Sequence, residues 1–209
     1  MTQSRGVIAI PPNAALLLID VQRGFEPQSW DYWVPPGGTR NNPNAELVIA
    51  QLIDAWRAYE RPVLHVKHDS INRRSPLRAR APTNEISAAA RPMGSEPVYR
   101  KRVNSAFIGT TLERDLRARR IDTLVVAGLT TDHCVSTSVR MASNLGFTTL
   151  VVSDATATFD RLGPDGALYP AELIHRTTLA SLHEEFAIVV TADTVFRGLA
   201  QSDDVLLAG

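Results

Sequence analysis

The chain has 209 residues, and its 22 Lys and Arg residues balance its 22 Asp and Glu residues, which gives a formal net charge of +0. A balanced charge offers no basic surface for nucleic acid or an anionic membrane, and no apolar run is long enough to span a bilayer. The amino terminus also lacks the apolar segment of a signal peptide. We therefore expect one domain over residues 1–209, located in the cytoplasm, with neither nucleic acid nor membrane as a partner.

Short apolar runs alternate with helical patterns, which is typical of a parallel sheet covered by helices on both faces. Strands are predicted, in chain order, at residues 14–19, 62–68, 98–99, 121–127, 147–152 and 186–190. Helices are predicted at residues 44–59, at 109–120, from about 132 to Gly146, and at 168–184. The pattern predicts an α/β protein, a three-layer α/β/α fold with a mainly parallel six-stranded Rossmann-like sheet.

Cys134 is the only cysteine in the sequence and follows the predicted buried strand at residues 121–127. It lies in the first turn of the next predicted helix, at the carboxyl end of the sheet, where open α/β sheets bind ligands. The N–H groups and the dipole of a helix N-terminus stabilise a thiolate. A lone cysteine is more often a buried structural thiol, but this location favours a nucleophile.

A cysteine nucleophile needs a group that takes its proton and passes it to the leaving group. Asp20 follows the apolar run of the first strand and should enter the same crevice as Cys134, so it is the predicted general acid/base. Its alternative role is a helix or loop cap. Lys101 follows the third strand and is predicted to hold positive charge between Asp20 and Cys134, unless it is an ordinary surface lysine.

Histidine is the alternative base for a cysteine nucleophile. His133 adjoins Cys134, but neighbouring side chains on a helix project about 100° apart, so it is poorly placed. His65 and His68 point to opposite faces of the second strand, and only His68 lies at its carboxyl end. A Cys134–His68 pair is therefore the second candidate for the catalytic machinery.

An acyl-transfer site must also stabilise an oxyanion, and backbone N–H groups at residues 128–130 and at Cys134 are predicted donors. Two segments, residues 25–43 and 70–97, are too long for ordinary connections and are predicted to be functional loops. The first loop and residues near the site supply the predicted pocket walls, each of which could equally be core or subunit interface: Phe25, Trp30, Tyr32, Trp33, His68, Asn104 and Phe159.

Four spaced segments have a specific combined pattern. Residues 17–22 read LLIDVQ, Lys101 precedes Ser-Ala-Phe at 105–107, residues 128–135 read GLTTDHCV, and Asp-Ala occupies 154–155. Together they resemble the isochorismatase-like cysteine hydrolases, the superfamily that contains the nicotinamidases, over about residues 14–190. The resemblance implies a triad of Asp20, Lys101 and Cys134. It also implies a cis peptide between Leu129 and Thr130, with the amides of Thr130 and Cys134 forming the oxyanion hole.

The sequence departs from two branches of that superfamily. Isochorismatases proper lack the cysteine and cleave a vinyl ether, so Cys134 argues against that substrate. Nicotinamidases bind a metal through an Asp-x-His pattern that does not occur here, so we expect no metal and no cofactor. Residues 65–70, 75–77 and 101–110 are more similar to the subgroup that contains streptothricin hydrolase, which opens a cyclic amide.

The main hypothesis is a cofactor-free hydrolase that cleaves a C–N bond of a small amide or lactam through a thioester acyl-enzyme. By resemblance we expect a homodimer or homotetramer. The alternatives are a non-catalytic reactive-thiol protein that binds a ligand or senses redox state, an isochorismatase-type hydrolase of a non-amide substrate, and an assembly subunit.

Overall fold

A central sheet organises the part of the chain that the computed structural model describes, which is residues 8–207, with side chains described for residues 8–202. The strands are β1 (Ala15–Ile19), β2 (Val63–His68), β3 (Val98–Lys101), β4 (Thr123–Leu129), β5 (Thr148–Ala157), β6 (Arg161–Leu162), β7 (Leu168–Tyr169) and β8 (Ile188–Val190). Six of them form a parallel sheet in the order β3-β2-β1-β4-β5-β8. The prediction of a six-stranded parallel sheet is confirmed.

Helices cover both faces of this sheet because its central strands β1 and β4 are apolar and buried on both sides. They are α1 (Trp30–Trp33), α2 (Ala45–Ala58), α3 (Leu112–Ala118), α4 (Ser136–Asn144), α5 (Ala171–Leu182) and α6 (Ala192–Leu207). Leu16 and Leu18 of β1 pack in one core with residues of α2 and α6, and Leu17 packs in the other with residues of α3, α4 and α5. The result is the predicted three-layer arrangement. Within residues 8–207, no helix combines the length and the apolar character needed to cross a membrane.

The region before α5 differs from its prediction. Leu168 was expected to be buried in a helix starting there, but it lies in β7, which pairs antiparallel with β6, and 52% of it is exposed. The helix starts only after Pro170, which takes the N-cap position with an extended backbone. Helix α6 was not predicted, and β5 continues five residues past Val152, the expected end of that strand, to Ala157.

Strand register brings the candidate site residues to one edge of the sheet. Ile19 of β1 is paired with Gly128 of β4, and His68 of β2 is paired with Lys101 of β3. Gly128 has a φ of 127°, and a Cβ atom there would lie 2.0 Å from the carbonyl oxygen of Ile19, so only glycine permits this close approach. Asp20, which follows Ile19, is thereby held beside the end of β4.

Candidate active site

Three side chains from three different strand ends meet at the carboxyl edge of the sheet. The Nζ of Lys101 donates a hydrogen bond to Asp20 Oδ2 at 2.6 Å and another to Cys134 Sγ at 3.2 Å. Asp20 is 0% exposed, Lys101 1% and Cys134 8%. A cap role for Asp20 and a surface role for Lys101 are therefore both ruled out, since the two form a buried ion pair against the thiol.

The backbone at Asp20 is held in an uncommon conformation. Its φ is 52°, in the left-handed region that non-glycine residues avoid at a cost of about 1–2 kcal/mol. Its N–H donates to the carbonyl of Val66 at 2.9 Å, which fixes the turn against β2. One carboxylate oxygen, Oδ1, is buried and has no hydrogen-bond partner within residues 8–202. That oxygen is free to accept a proton or a hydrogen bond from a reacting group.

Lys101 uses a third acceptor, His68. Its Nζ lies 3.0 Å from His68 Nδ1, so the three N–H bonds of the ammonium face a carboxylate, a sulfur and an imidazole nitrogen. Accepting through Nδ1 requires a neutral imidazole. Burial and then the Lys101 ammonium lower the pKa of His68, which favours that neutral form. His68 thus reaches the site as predicted, but its contact is with Lys101, and no hydrogen bond joins it to Cys134 among the described residues.

Gln22 fixes the strand end that carries His68. Its Oε1 accepts the backbone N–H of His68 at 2.8 Å, and its Nε2 donates to the carbonyls of His68 at 3.2 Å and Asn84 at 2.7 Å. Gln22 is buried. Gln22 ends the motif at residues 17–22, but no role was predicted for it.

The surroundings of Cys134 favour the protonated thiol. Burial first, and the Asp20 carboxylate second, raise the pKa of Cys134 well above its ordinary value, and the opposing effect of Lys101 is smaller. Cys134 lies in a π-helical turn, Thr131–Val135, that precedes α4. The prediction that it lies in the first turn of an α-helix and is stabilised as a thiolate is therefore wrong. Attack by sulfur then requires proton removal in the same step.

The ammonium form of Lys101 is favoured at the same time. Burial alone would lower the pKa of Lys101, but the Asp20 carboxylate and Cys134 raise it above its ordinary value. The charged form of Lys101 is therefore favoured between the Asp20 carboxylate and Cys134.

Hydrogen bonds to residues that were not predicted to have a role hold the turn that carries Cys134 in place. Thr131 Oγ1 lies 2.9 Å from Nδ1 of the buried His175 in α5. The carboxylate of Asp132 accepts from Thr158 Oγ1 at 2.5 Å and from Arg161 Nε at 3.0 Å. These partners are 26 to 44 residues away in sequence, so no local signal pointed to them.

The backbone before Cys134 has the form that the resemblance implied. The peptide bond between Leu129 and Thr130 is cis, and the carbonyl of Thr130 accepts the N–H groups of His133 and Val135, both at 3.2 Å. Thr130 and Cys134 both line the pocket described next. Their assignment as an oxyanion hole stays a prediction.

A pocket of about 220 Å³ opens above Cys134. Its lining includes Phe25, His68 and Asn104, as expected. Two expected wall residues are corrected. Phe159 is 0% exposed and stacks behind Phe25 and Trp33, and Trp30 packs edge-on against Phe159 outside the lining. The full lining is Phe25, Tyr32, Trp33, His68, Ser70, Asn72, Ser75, Leu77, Asn104, Thr130, His133 and Cys134.

A second, larger cleft of about 790 Å³ lies beside β2 and β3 and is lined mainly by charged residues, among them Lys67, Glu85 and Arg100. None of the three converging residues lines it. The chemistry therefore belongs to the smaller pocket.

The donor set near Cys134 is suited in type to a metal ion but is already engaged. Asp20, His68 and Cys134 each offer one ligand atom, and these atoms lie within 4.8 Å of one another. Lys101 Nζ contacts all three residues at 2.6 to 3.2 Å. An ammonium thus stands where a shared metal would bind, so the residues fit a cationic side chain rather than a metal.

Comparison with known proteins agrees with this geometry. Residues 14–194 match the isochorismatase domain. The chain belongs to the isochorismatase family. It is 41% identical over 183 residues to the isochorismatase family protein YrdC of Bacillus subtilis, covering 88% of this chain and 94% of YrdC. A crystal structure of an isochorismatase-family protein from Chromobacterium violaceum has a TM-score of 0.86 and 36% identity, covering 94% of this chain and 98% of that one.

Two relatives of this isochorismatase-family hydrolase have names that state an activity. Streptothricin hydrolase of Streptomyces noursei is 29% identical over 195 residues, covering 90% of this chain and 72% of that protein. Nicotinamidase 3 of Arabidopsis thaliana is 32% identical over 106 residues, covering 51% of this chain and 48% of that protein. The similarity to the streptothricin subgroup is therefore weaker than the similarity to the family as a whole.

The contact between His68 and Lys101 predicts an effect on catalysis. Replacing His68 with Ala removes one acceptor of a charged donor, so kcat/KM should fall about 10- to 100-fold, since such hydrogen bonds contribute about 1.5–3 kcal/mol. His68→Asn, which retains an acceptor, should keep most of the activity.

The same contact predicts a pH dependence in the wild type. Protonation of His68, which occurs below its ordinary pKa of 6.5, places a positive charge next to Lys101, so activity should fall as the pH falls.

The measurement is kcat/KM against pH for the three proteins. The Asn variant should lack the acid limb that the wild type shows. A change in KM alone in the Ala variant, with kcat and the pH profile intact, would mean that His68 only contacts substrate.

Proposed function

We propose that this isochorismatase-family protein cleaves the C–N bond of a small amide or lactam through a thioester acyl-enzyme. The observation that carries the proposal is one buried ammonium, Lys101 Nζ, in contact with both Asp20 Oδ2 and Cys134 Sγ at the base of a pocket. The similarity to a nicotinamidase and to a streptothricin hydrolase supports it.

Acylation uses the two charged groups for different tasks. Asp20 takes the thiol proton through its unpaired Oδ1 as Cys134 Sγ attacks the carbonyl carbon. Lys101 keeps Oδ2 engaged and balances the charge of the carboxylate. The backbone amides of Thr130 and Cys134 are proposed to stabilise the oxyanion. Asp20 then gives the proton to the leaving nitrogen as the C–N bond breaks, and a thioester remains on Cys134.

Deacylation reverses the same proton path. Asp20 accepts a proton from water, the oxygen of that water attacks the thioester carbon, and the C–S bond breaks. The carboxylic acid leaves, and Asp20 returns the proton to the Cys134 sulfur. Every step uses side chains of this chain and water, so the proposal includes no cofactor.

The alternative functions fit the site less well. A redox-sensing or thiol-based binding protein needs a low-pKa, accessible cysteine, but the pKa of Cys134 is raised by burial and the residue is 8% exposed. Isochorismatase-type cleavage of a vinyl ether has no acyl group to transfer, so it gives Cys134 no required task. A small molecule is the proposed partner. Assembly as a homodimer or homotetramer and a location in the cytoplasm remain predictions.

The test is a screen of small amides, lactams and ureas, followed by acid quenching and mass spectrometry of the intact protein during turnover. We expect a mass increase equal to the acyl part of the cleaved substrate, mapped by peptide analysis to Cys134. Turnover of a substrate under rapid quenching with no adduct on Cys134 would contradict the acyl-enzyme.

A further inference from the structure

The larger cleft beside β2 and β3 is separate from the pocket above Cys134 and has a different chemical character. Its volume of about 790 Å³ lies in the range of about 300–1,000 Å³ that is typical of small-molecule sites. Six charged side chains line this charged cleft, four cations and two carboxylates: Arg23, Lys67, Arg91, Arg100, Glu26 and Glu85. Because the cations outnumber the carboxylates in the lining, an anion is the ligand that this cleft favours.

Lys67 is a buried cation whose partner is exposed. The residue is 7% exposed, so its ammonium is largely removed from water. Its ion pair in the described part of the chain is with Glu85 Oε1 at 3.3 Å, and the side chain of Glu85 is 67% exposed. A buried ammonium requires a compensating anion. Glu85 can turn out into water when a ligand supplies another anionic group beside Lys67.

The arginines of the charged cleft have donors that are not used within the protein. The guanidinium of Arg91 makes no hydrogen bond or ion pair within residues 8–202. Arg100 donates through Nε to Asp69 Oδ2 at 2.8 Å, and its two terminal nitrogens have no acceptor among the described residues. Guanidinium groups bind carboxylates and phosphates through parallel hydrogen bonds. Once Glu85 is displaced, Lys67 and Arg91 lack counter-ions, and a ligand with two negative charges balances them.

From these groups we propose that the charged cleft is a second binding site, which takes a small organic dianion, either a dicarboxylate or a phosphate monoester. One anionic group of the ligand replaces Glu85 beside Lys67, and the other binds Arg91. Asp20, Lys101 and Cys134 do not line this cleft, so the site does not depend on the proposed hydrolysis.

The charged cleft is connected to the active site through neighbouring residues of the chain. Lys67 directly precedes His68 in β2. Glu85 directly follows Asn84, whose Nδ2 donates to the carbonyl of His68 at 2.8 Å. Displacement of Glu85 therefore acts on Asn84 and on His68, which is the acceptor of Lys101. A ligand bound in the cleft should change the reactivity of the active-site thiol.

Calorimetry with two dianions and their uncharged counterparts tests the site. The dianions are adipate and glycerol phosphate, and the counterparts are hexanediol and glycerol. The wild-type protein is used at about pH 8 and constant ionic strength, where both acids carry two charges. We expect at least one dianion to bind about tenfold or more tightly than its counterpart. Binding of adipate alone would identify a dicarboxylate site, and binding of glycerol phosphate alone would identify a phosphate site.

Two substitutions in the cleft have opposite expected effects on binding. Arg91→Gln removes a cation without a counter-ion and should weaken binding of the dianion about fivefold or more. Glu85→Gln removes the competing carboxylate and should strengthen binding about threefold or more. Arg197→Gln is the matched control, because Arg197 is an exposed arginine of α6 that pairs with Asp193 outside the cleft. It should leave binding unchanged.

Alkylation of Cys134 by iodoacetamide reports on the connection to the active site. Saturation with the bound dianion should change the alkylation rate about twofold or more. Failure of both dianions to bind would overturn the site, as would binding that Arg91→Gln and Glu85→Gln both leave unchanged. Binding with an unchanged alkylation rate would overturn its connection to the active site. None of these measurements requires amide hydrolysis, so their failure is distinct from failure of the proposed function.

Discussion

Replacing Cys134 with serine is expected to lower kcat/KM by about 10⁴-fold or more while leaving the fold intact. The raised pKa of Cys134 means that its proton must be removed for attack, and a serine hydroxyl is a much weaker acid and nucleophile than a thiol. Serine has nearly the same shape and keeps an acceptor for Lys101 Nζ, so the buried ion pair with Asp20 should survive. The measurement is steady-state kinetics on an amide found by the screen.

Ser136 offers a control within the same turn. It is buried and lies two residues from Cys134, yet it does not line the pocket, so Ser136→Ala should change kcat/KM by less than about tenfold. Thermal unfolding of both variants checks that the loss in Cys134→Ser is chemical. Turnover by Cys134→Ser within tenfold of the wild type would refute covalent catalysis by this residue.

The convergence of the three site residues could be predicted because it follows from sheet topology. Asp20, Lys101 and Cys134 each follow an apolar run, and parallel strands place their carboxyl ends on one edge. The alternation of side chains along a strand also predicted that His65 and His68 point to opposite faces of β2. In the structure His65 pairs with Glu96, and His68 contacts Lys101. These arguments need only local patterns and the direction of the strands.

The predictions that were wrong concern features that depend on contacts between segments distant in sequence. Phe159 is aromatic and close in sequence to the end of β5, but a bridge to Arg40 and stacking on Phe25 draw it into the core. Leu168 continues the apolar spacing of the following helix, and only Pro170 marked the true start of that helix. The π-helical turn at Cys134 likewise depends on anchors such as His175, which lies 44 residues from its partner Thr131.

The electrostatic state of Cys134 could not be predicted for the same reason. A helix N-terminus alone suggests a stabilised thiolate. The structure adds burial and an adjacent carboxylate, Asp20, and both favour the protonated sulfur. Whether the pKa of Cys134 is raised or lowered is therefore decided by residues that come into contact only in the folded chain.

Replacing Asp20 with asparagine is expected to change two measured properties in opposite directions. Hydrolysis should fall about 10³- to 10⁴-fold, because the amide of Asn cannot take the thiol proton and deliver it to the leaving nitrogen. Alkylation of Cys134 by iodoacetamide near pH 8 should become faster than in the wild type. The carboxylate that raises the pKa of Cys134 is gone, while Lys101 Nζ remains 3.2 Å from the sulfur and lowers it.

The paired readout distinguishes a proton-transfer role of Asp20 from a structural one. A variant that only loosened the fold would lose both hydrolysis and the pH dependence of alkylation. Asp69→Asn is the matched control, because Asp69 is a buried carboxylate at the end of β2 that bonds to Arg100 and not to Cys134. It should leave hydrolysis within about tenfold and alkylation unchanged. Retained hydrolysis in Asp20→Asn would exclude Asp20 as the base, and slower alkylation would show that its charge does not hold the proton on the thiol.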